Sequence, residues 1–145
     1  MEVYLVQHGE SKSKEEGPER PLSDKGKQEV EKIAGSLKIK PSKILHSPKL
    51  RAKQTAEILS SALHAQMEET EGIKPLDDPG IAKQLAESDD KLMIVGHLPH
   101  LDKLSSLLIA GNADAGIIKF RMAGVVCLEK DEKWKLKWML TPELI

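Results

Sequence analysis

The sequence predicts an α/β fold, a three-layer α/β/α sandwich around a mainly parallel central sheet. Two observations predict it. Short apolar runs at EVYLVQ (2–7), KILH (43–46) and KLMIVG (91–96) have the length and the bounding residues of buried strands. Between them lie longer segments in which apolar residues recur at helical spacing. Strands alternating with helices are joined by crossovers, which makes neighbouring strands parallel and covers both faces of the sheet.

Each element has its own signal. The first strand stops at His8-Gly9, and the charged stretch 9–23, with Gly17, Pro18 and Pro21, predicts a mobile surface loop. From Asp24 to Leu37, the positions Val30, Ile33, Ala34 and Leu37 define a helix with Ser23 as its N-cap. After KILH, Ser47-Pro48 reads as N-cap and first-turn proline of a helix running to Leu63, with Ala52, Ala56, Leu59 and Leu63 on its apolar face. A short segment at 66–68 and the turn-rich EGIKPLDDPG lead to a short helix at 81–88. KLMIVG is the strongest strand signal, and a helix follows from Pro99 to Ala110. The remainder, 117–122, 125–130 and 134–140, predicts a β-rich tail; KWKLKWML alternates with period two, as an edge strand with one wet face does.

Composition narrows the function classes. The 145 residues fit a single domain, 1–145, large enough to bury a core unaided. A net charge of −1 and 3% aromatic content point away from nucleic acid and membrane surfaces. One cysteine, Cys127, excludes an internal disulfide framework and a cysteine zinc cluster, and its apolar setting reads as a buried inert thiol. The N-terminus has no signal-peptide pattern and no apolar run is long enough to span a bilayer, so a cytoplasmic protein is expected; no exposed heptad or large apolar patch is legible, so a monomer is expected.

The chemistry concentrates at the strand ends. His8 follows the first strand, His97 follows KLMIV, and Arg51 lies in the first turn of the helix after KILH. In open α/β sheets ligands bind beyond the carboxyl ends of the strands, so two imidazoles and a guanidinium converge there. Gly9 and Gly96 adjoin the histidines, where backbone is expected to pass close to a ligand. The helix start near Pro48–Arg51 adds free N–H groups and a positive dipole end. Such a pocket suits a tetrahedral oxyanion, phosphate first. His46, His64 and His100 are expected to be structural, with His100 on the exposed side of its helix.

In order, LVQHGES, RPLSDKGKQEV, SPKLRAKQTAEIL and IVGHLPHLDKL resemble the motifs of the histidine phosphatase superfamily, and most of all its small SixA-type phosphohistidine phosphatases. The resemblance spans roughly the whole chain and implies a phosphoglycerate-mutase-like sandwich. It implies that His8 attacks phosphorus and is transiently phosphorylated, that His97 stabilises the transferred group, and that Arg51 grips the phosphate oxygens, with Arg20 at the rim. Neutral imidazole suits the first role, a protonated His97 the second, and a planar guanidinium fork the third. No metal or other cofactor is implied, and the phosphate loop of nucleotide hydrolases is absent.

One residue departs from the pattern. Gln7 stands where the family has arginine, so one charge-assisted phosphate contact becomes neutral, and His8 is expected to titrate higher without that cation. Only a short segment separates Arg51 from His97, which implies an open cleft able to admit a phosphorylated side chain on a protein. Glu71, Asp77 and Asp78 are candidate acids there, or simply solvated loop carboxylates. The expected function is phosphohistidine phosphatase, acting on a phosphohistidine-bearing protein in signal transduction. The alternatives are a small-molecule phosphomonoesterase and a weakened phosphohistidine-binding regulator. The geometry required is that the rings of residues 8 and 97 face each other across one phosphate-sized gap.

Overall fold

A computed structural model describes all 145 residues. The chain forms β1 (Glu2–Gln7), α1 (Asp24–Ser36), β2 (Lys43–His46), α2 (Leu50–Leu63), β3 (Met67–Glu69), α3 (Pro79–Ser88), β4 (Leu92–Gly96), α4 (His100–Ala110), β5 (Val125–Lys130) and β6 (Trp134–Leu140). All six strands belong to one sheet, in the order β3-β2-β4-β1-β5-β6. The strands from β3 to β1 are parallel, and β5 and β6 add antiparallel at the side of β1.

Alternation within the strands builds the three layers. Tyr4 and Val6 of β1 and Met93 and Val95 of β4 point toward α1 and α2, where they meet Val30, Ile33, Ala56 and Leu59. Their neighbours Val3, Leu5, Leu92 and Ile94 point the other way, against Ala82 and Ala86 of α3 and Leu101, Leu104 and Leu108 of α4. A strand buried on both faces needs a continuous apolar run, and LMIVG is buried at every position. Cys127 lies in the first core, and burial followed by the nearby Glu2 carboxylate pushes its thiol up to about 12, so it is inert.

Several elements depart from expectation. Residues 117–122 form no strand and pair with none of the six. Ile118 and Phe120 still bury their side chains. In β6 the alternation breaks: Cys127 pairs with Trp138 but Leu128 with Leu136, so Lys137 bulges out. Trp134 therefore enters one core while Trp138 packs against the other. The loop between β1 and α1 is not free along its length. Lys12 N–H donates to the Pro21 carbonyl at 2.8 Å and Ser23 N–H to that of Glu10 at 3.0 Å, which closes its base.

Ser23 caps α1 as expected, its Oγ accepting the Gly26 amide at 3.0 Å. Gly26 has a second task. A Cβ there would stand 2.1 Å from the Glu10 carbonyl oxygen, so α1 touches the loop leaving His8 only because residue 26 lacks a side chain. Gly26→Ala is expected to cost about 2–4 kcal/mol, which lowers the melting temperature by roughly 5–15 °C. A calorimetric shift of less than a degree would mean that this contact yields freely.

Candidate active site

The site follows from topology. The chain leaves β1 and β2 toward the α1/α2 face, but leaves β3 and β4 toward the α3/α4 face. The adjacent strands β1 and β4 thus send their connections to opposite sides, which opens a crevice at their carboxyl ends. Gln7 registers with Gly96, and the His8 amide donates to the Gly96 carbonyl at 3.0 Å. His8 and His97 are consequently neighbours, with ring centroids 5.0 Å apart and planes tilted by 53°. That is closer than the facing arrangement expected; no phosphate fits between rings so near. A bound oxyanion must lie across the nitrogen edges of both.

Hydrogen bonds assign the tautomers. His8 Nδ1 lies 2.7 Å from the Gly9 carbonyl, which can only accept, so Nδ1 carries the proton and Nε2 keeps its lone pair. The Ser47 hydroxyl accepts the Lys49 amide at 3.3 Å and lies 2.5 Å from His97 Nε2. The hydroxyl is fully buried and has no other acceptor for its hydrogen, so it donates to Nε2, which leaves the His97 proton on Nδ1. That Nδ1 is buried and has no protein partner. One ring offers a lone pair and the other an unspent donor.

Electrostatics keep both rings neutral. Burial, with further contributions from Arg51 and Arg20, lowers His8 to about 4 against the pull of its Gly9 bond. Burial, then His8, Arg51 and Lys49, lowers His97 to about 3. Two expectations are corrected here. His8 does not rise for want of an adjacent arginine, because desolvation outweighs that loss and two other guanidiniums act on it. Nor is His97 a charged donor at neutral pH; its contribution is the neutral Nδ1–H.

Arg51 stands in the first turn of α2, and burial followed by the charge of Arg20 depresses its pKa. It is tied to the loop that carries His8 through Thr55, which is fully buried: Thr55 Oγ1 donates to the Arg51 carbonyl at 2.8 Å and accepts the Gly9 amide at 3.0 Å. Arg20 has a left-handed φ of 53° and donates to the Lys12 carbonyl and the Ser11 hydroxyl at 3.2 and 3.1 Å. It shares a cleft with Arg51. The structure thus brings His8, His97, Arg51 and Arg20 into one neighbourhood, and Gln7 adjoins it with its Oε1 buried and unpaired.

Sequence reasoning missed Ser47 and Thr55. Ser47 does not cap α2, which begins at Leu50 without a side-chain cap, since its hydroxyl is spent on His97. His46, buried, donates from Nδ1 to the Ser47 carbonyl at 2.8 Å, and His64 ends α2 in a left-handed turn; both are structural, as expected. His100 is not on an exposed face. It is fully buried, and burial lowers its pKa against the pull of Asp77, Asp78 and the Gly72 backbone. Gly9 would meet Val30 and the Gly26 carbonyl with any side chain, so its smallness serves α1, while a Cβ at Gly96 meets only ordinary contacts. The carboxylates of 71–78 are occupied: Glu71 pairs with Lys74, Asp77 accepts the Lys74 amide, and Asp78 caps α3.

Three buried histidines held below their unfolded value make the fold acid-sensitive. The unfolded chain binds protons near pH 6.5 that the folded chain refuses until about 4 or lower at His8 and His97, so this stability is complete above pH 6.5 and lost as pH falls. Each group contributes a slope of about 1.4 kcal/mol per pH unit in that window. Denaturant unfolding at pH 7 and pH 5 is expected to show a drop of several kcal/mol; a flat profile would mean that the rings charge freely.

A three-layer α/β sandwich with a paired-imidazole, guanidinium-lined crevice has the chemistry to hold a tetrahedral oxyanion. The comparisons make it specific: the model of the histidine phosphatase superfamily (branch 1) matches residues 3–78. The chain belongs to that superfamily. An uncharacterised protein of Picosynechococcus sp. is 31% identical over 140 residues, which cover 88% of this chain and 84% of that one. Among solved structures, the protein histidine phosphatase SixA complexed with tungstate superposes with a TM-score of 0.86 at 24% identity, covering 99% of both chains. A phosphoserine phosphatase of Entamoeba histolytica in complex with 3-phosphoglyceric acid reaches a TM-score of 0.75 at 16% identity over 95% of each chain. These likenesses establish the phosphoglycerate-mutase-like fold.

Proposed function

We propose that the protein is a metal-independent phosphatase that removes the phosphoryl group from phosphohistidine on another protein, through a phosphohistidine intermediate on His8. The observation that carries this reading is the tautomer pair, a buried lone pair at His8 Nε2 beside an unpartnered donor at His97 Nδ1. Nε2 attacks phosphorus and the P–N bond to the substrate imidazole breaks. The departing nitrogen takes the electron pair, and the ring leaves as neutral imidazole, either because its other nitrogen is already protonated or because the departing nitrogen takes a proton from solvent. Water then attacks the phosphorus of phospho-His8, the P–Nε2 bond breaks, its electrons return to Nε2, and inorganic phosphate leaves. Arg51 and the His97 N–H meet the charge spread over the phosphoryl oxygens. The likeness to a protein histidine phosphatase complexed with a tetrahedral oxyanion agrees with this substrate.

The leaving group favours phosphohistidine over a phosphate ester. An alkoxide leaves only with a strong general acid, and the carboxylates of 71–78 are committed to an ion pair, a turn and a helix cap. A phosphohistidine ring that carries a proton on its other nitrogen leaves as neutral imidazole without one. Short incubation with phosphoramidate and with a phosphohistidine peptide, followed by quenching in alkali, is expected to trap one acid-labile phosphate per chain, whereas a phosphoserine peptide traps none. Tight phosphate binding with no trapped intermediate would leave a reader of phosphohistidine instead.

Gln7 tempers the rate. A charge-assisted hydrogen bond contributes about 1.5–3 kcal/mol against roughly 1 for a neutral one, and the unpaired Oε1 adds a further cost. Gln7→Arg is expected to raise kcat by up to roughly ten- to a hundredfold in single-turnover assays. An unchanged or lower rate would mean that the pocket is built around the amide.

A further inference from the structure

Beside the phosphoryl crevice lies a cleft of about 620 Å³ whose lining includes Lys14, Arg20, Lys49, Arg51 and Lys53. Two carboxylates, Glu19 and Glu69, share it. Yet none of the five cations is paired: every ion pair in the molecule lies elsewhere. Six lysines elsewhere, Lys25, Lys43, Lys74, Lys83, Lys130 and Lys137, do hold carboxylates, so what distinguishes the cleft is five free cations gathered on one lining. Arg20 is moreover fixed by the Lys12 carbonyl and the Ser11 hydroxyl, and its charge depresses Arg51, so like charges are held together rather than allowed to disperse. One phosphoryl group spends the arginines. Lys14, Lys49 and Lys53 extend the positive field beyond it.

Resting on the phosphatase reading above, we propose that this cleft is the docking surface for an acidic segment flanking the phosphohistidine, with Lys14, Lys49 and Lys53 meeting its carboxylates. The lining supports a peptide in preference to a nucleotide, since Leu50 and two prolines are its nonpolar members and no aromatic face is present for a base. Exposed cations of this kind speed encounter and set partner choice, and their effect is screened by salt.

The test uses two synthetic peptides of equal length, each with one central histidine phosphorylated by phosphoramidate, flanked in one by Asp and Glu and in the other by Ser and Gln. Binding is measured by fluorescence anisotropy to the His8→Ala protein, so no turnover is required. The acidic peptide is expected to bind at least about tenfold more tightly at low ionic strength, and the preference to vanish at roughly 0.5 M salt. Lys14→Glu/Lys53→Glu, two changes at exposed side chains, is expected to abolish or reverse that preference while wild-type His8 still hydrolyses phosphoramidate. Equal affinities, or a preference surviving either the salt or the double variant, overturn the docking assignment. Failure to hydrolyse phosphoramidate instead strikes the phosphatase reading, and the binding comparison still decides the cleft.

Discussion

His8→Ala is expected to lower turnover of a phosphohistidine peptide by at least about 10⁴-fold, the scale on which hydrolases lose activity without their nucleophile. The protein should still fold, because the only hydrogen bond the ring makes is to the neighbouring Gly9 carbonyl, and its one ring neighbour, His97, is held separately by Ser47. The acid-labile phosphate trapped on wild type should be missing from the variant. A further signature separates nucleophile from scaffold. With His8 lowered to about 4, its lone pair is available throughout the neutral range, so kcat/KM, once divided by the titration of the substrate ring itself, should stay level between pH 8 and 6. An ordinary imidazole would give an inflection near 6.5. Residual activity within tenfold of wild type, or trapped phosphate on the variant, would move the nucleophile elsewhere.

Arg51→Ala is expected to reduce kcat/KM by roughly 10²–10⁴-fold, comparable with the removal of guanidiniums that stabilise phosphoryl transfer elsewhere. Arg51 is partly buried beside two histidines held neutral, and its removal should therefore let both titrate closer to their ordinary range. Arg51→Lys should recover only part of the loss, since an ammonium restores charge but not the two-pronged geometry. Orthophosphate affinity, read by calorimetry, should fall at least tenfold in both variants. If affinity is unchanged while turnover falls, the arginine acts only in the transition state.

The architecture was legible because its signals are local. EVYLVQ, KILH and KLMIVG each end at a residue that breaks a strand, and the apolar spacing over 24–37 and 50–63 has a helical period. The convergence of His8, His97 and Arg51 was legible for a related reason: each follows a strand, and neighbouring parallel strands deliver their carboxyl ends to one rim. What the sequence hid is what depends on partners across the fold. Ser47 beside a proline looks like a helix cap, and nothing nearby reveals that its hydroxyl faces an imidazole fifty positions away. Thr55 reads as a small residue on a helix face until Gly9 comes to meet it. His100, between a proline and a leucine, looks like the start of an amphipathic helix with its polar side out, but α3 and the 71–78 turn close over it. The alternation of KWKLKWML promised one wet face, and the bulge at Lys137 divided it between two cores.

That bulge has a consequence for the behaviour of the protein at high concentration. A sheet with open margins invites a visiting chain to add itself as one more strand. At one margin β6 presents Lys135 and Lys137, and its irregular register twists the row of free amides and carbonyls out of line. At the other, β3 has only three residues, MEE, too short and too charged to hold a guest. Neither border offers a template, so the molecule carries its own protection against stacking into fibrils.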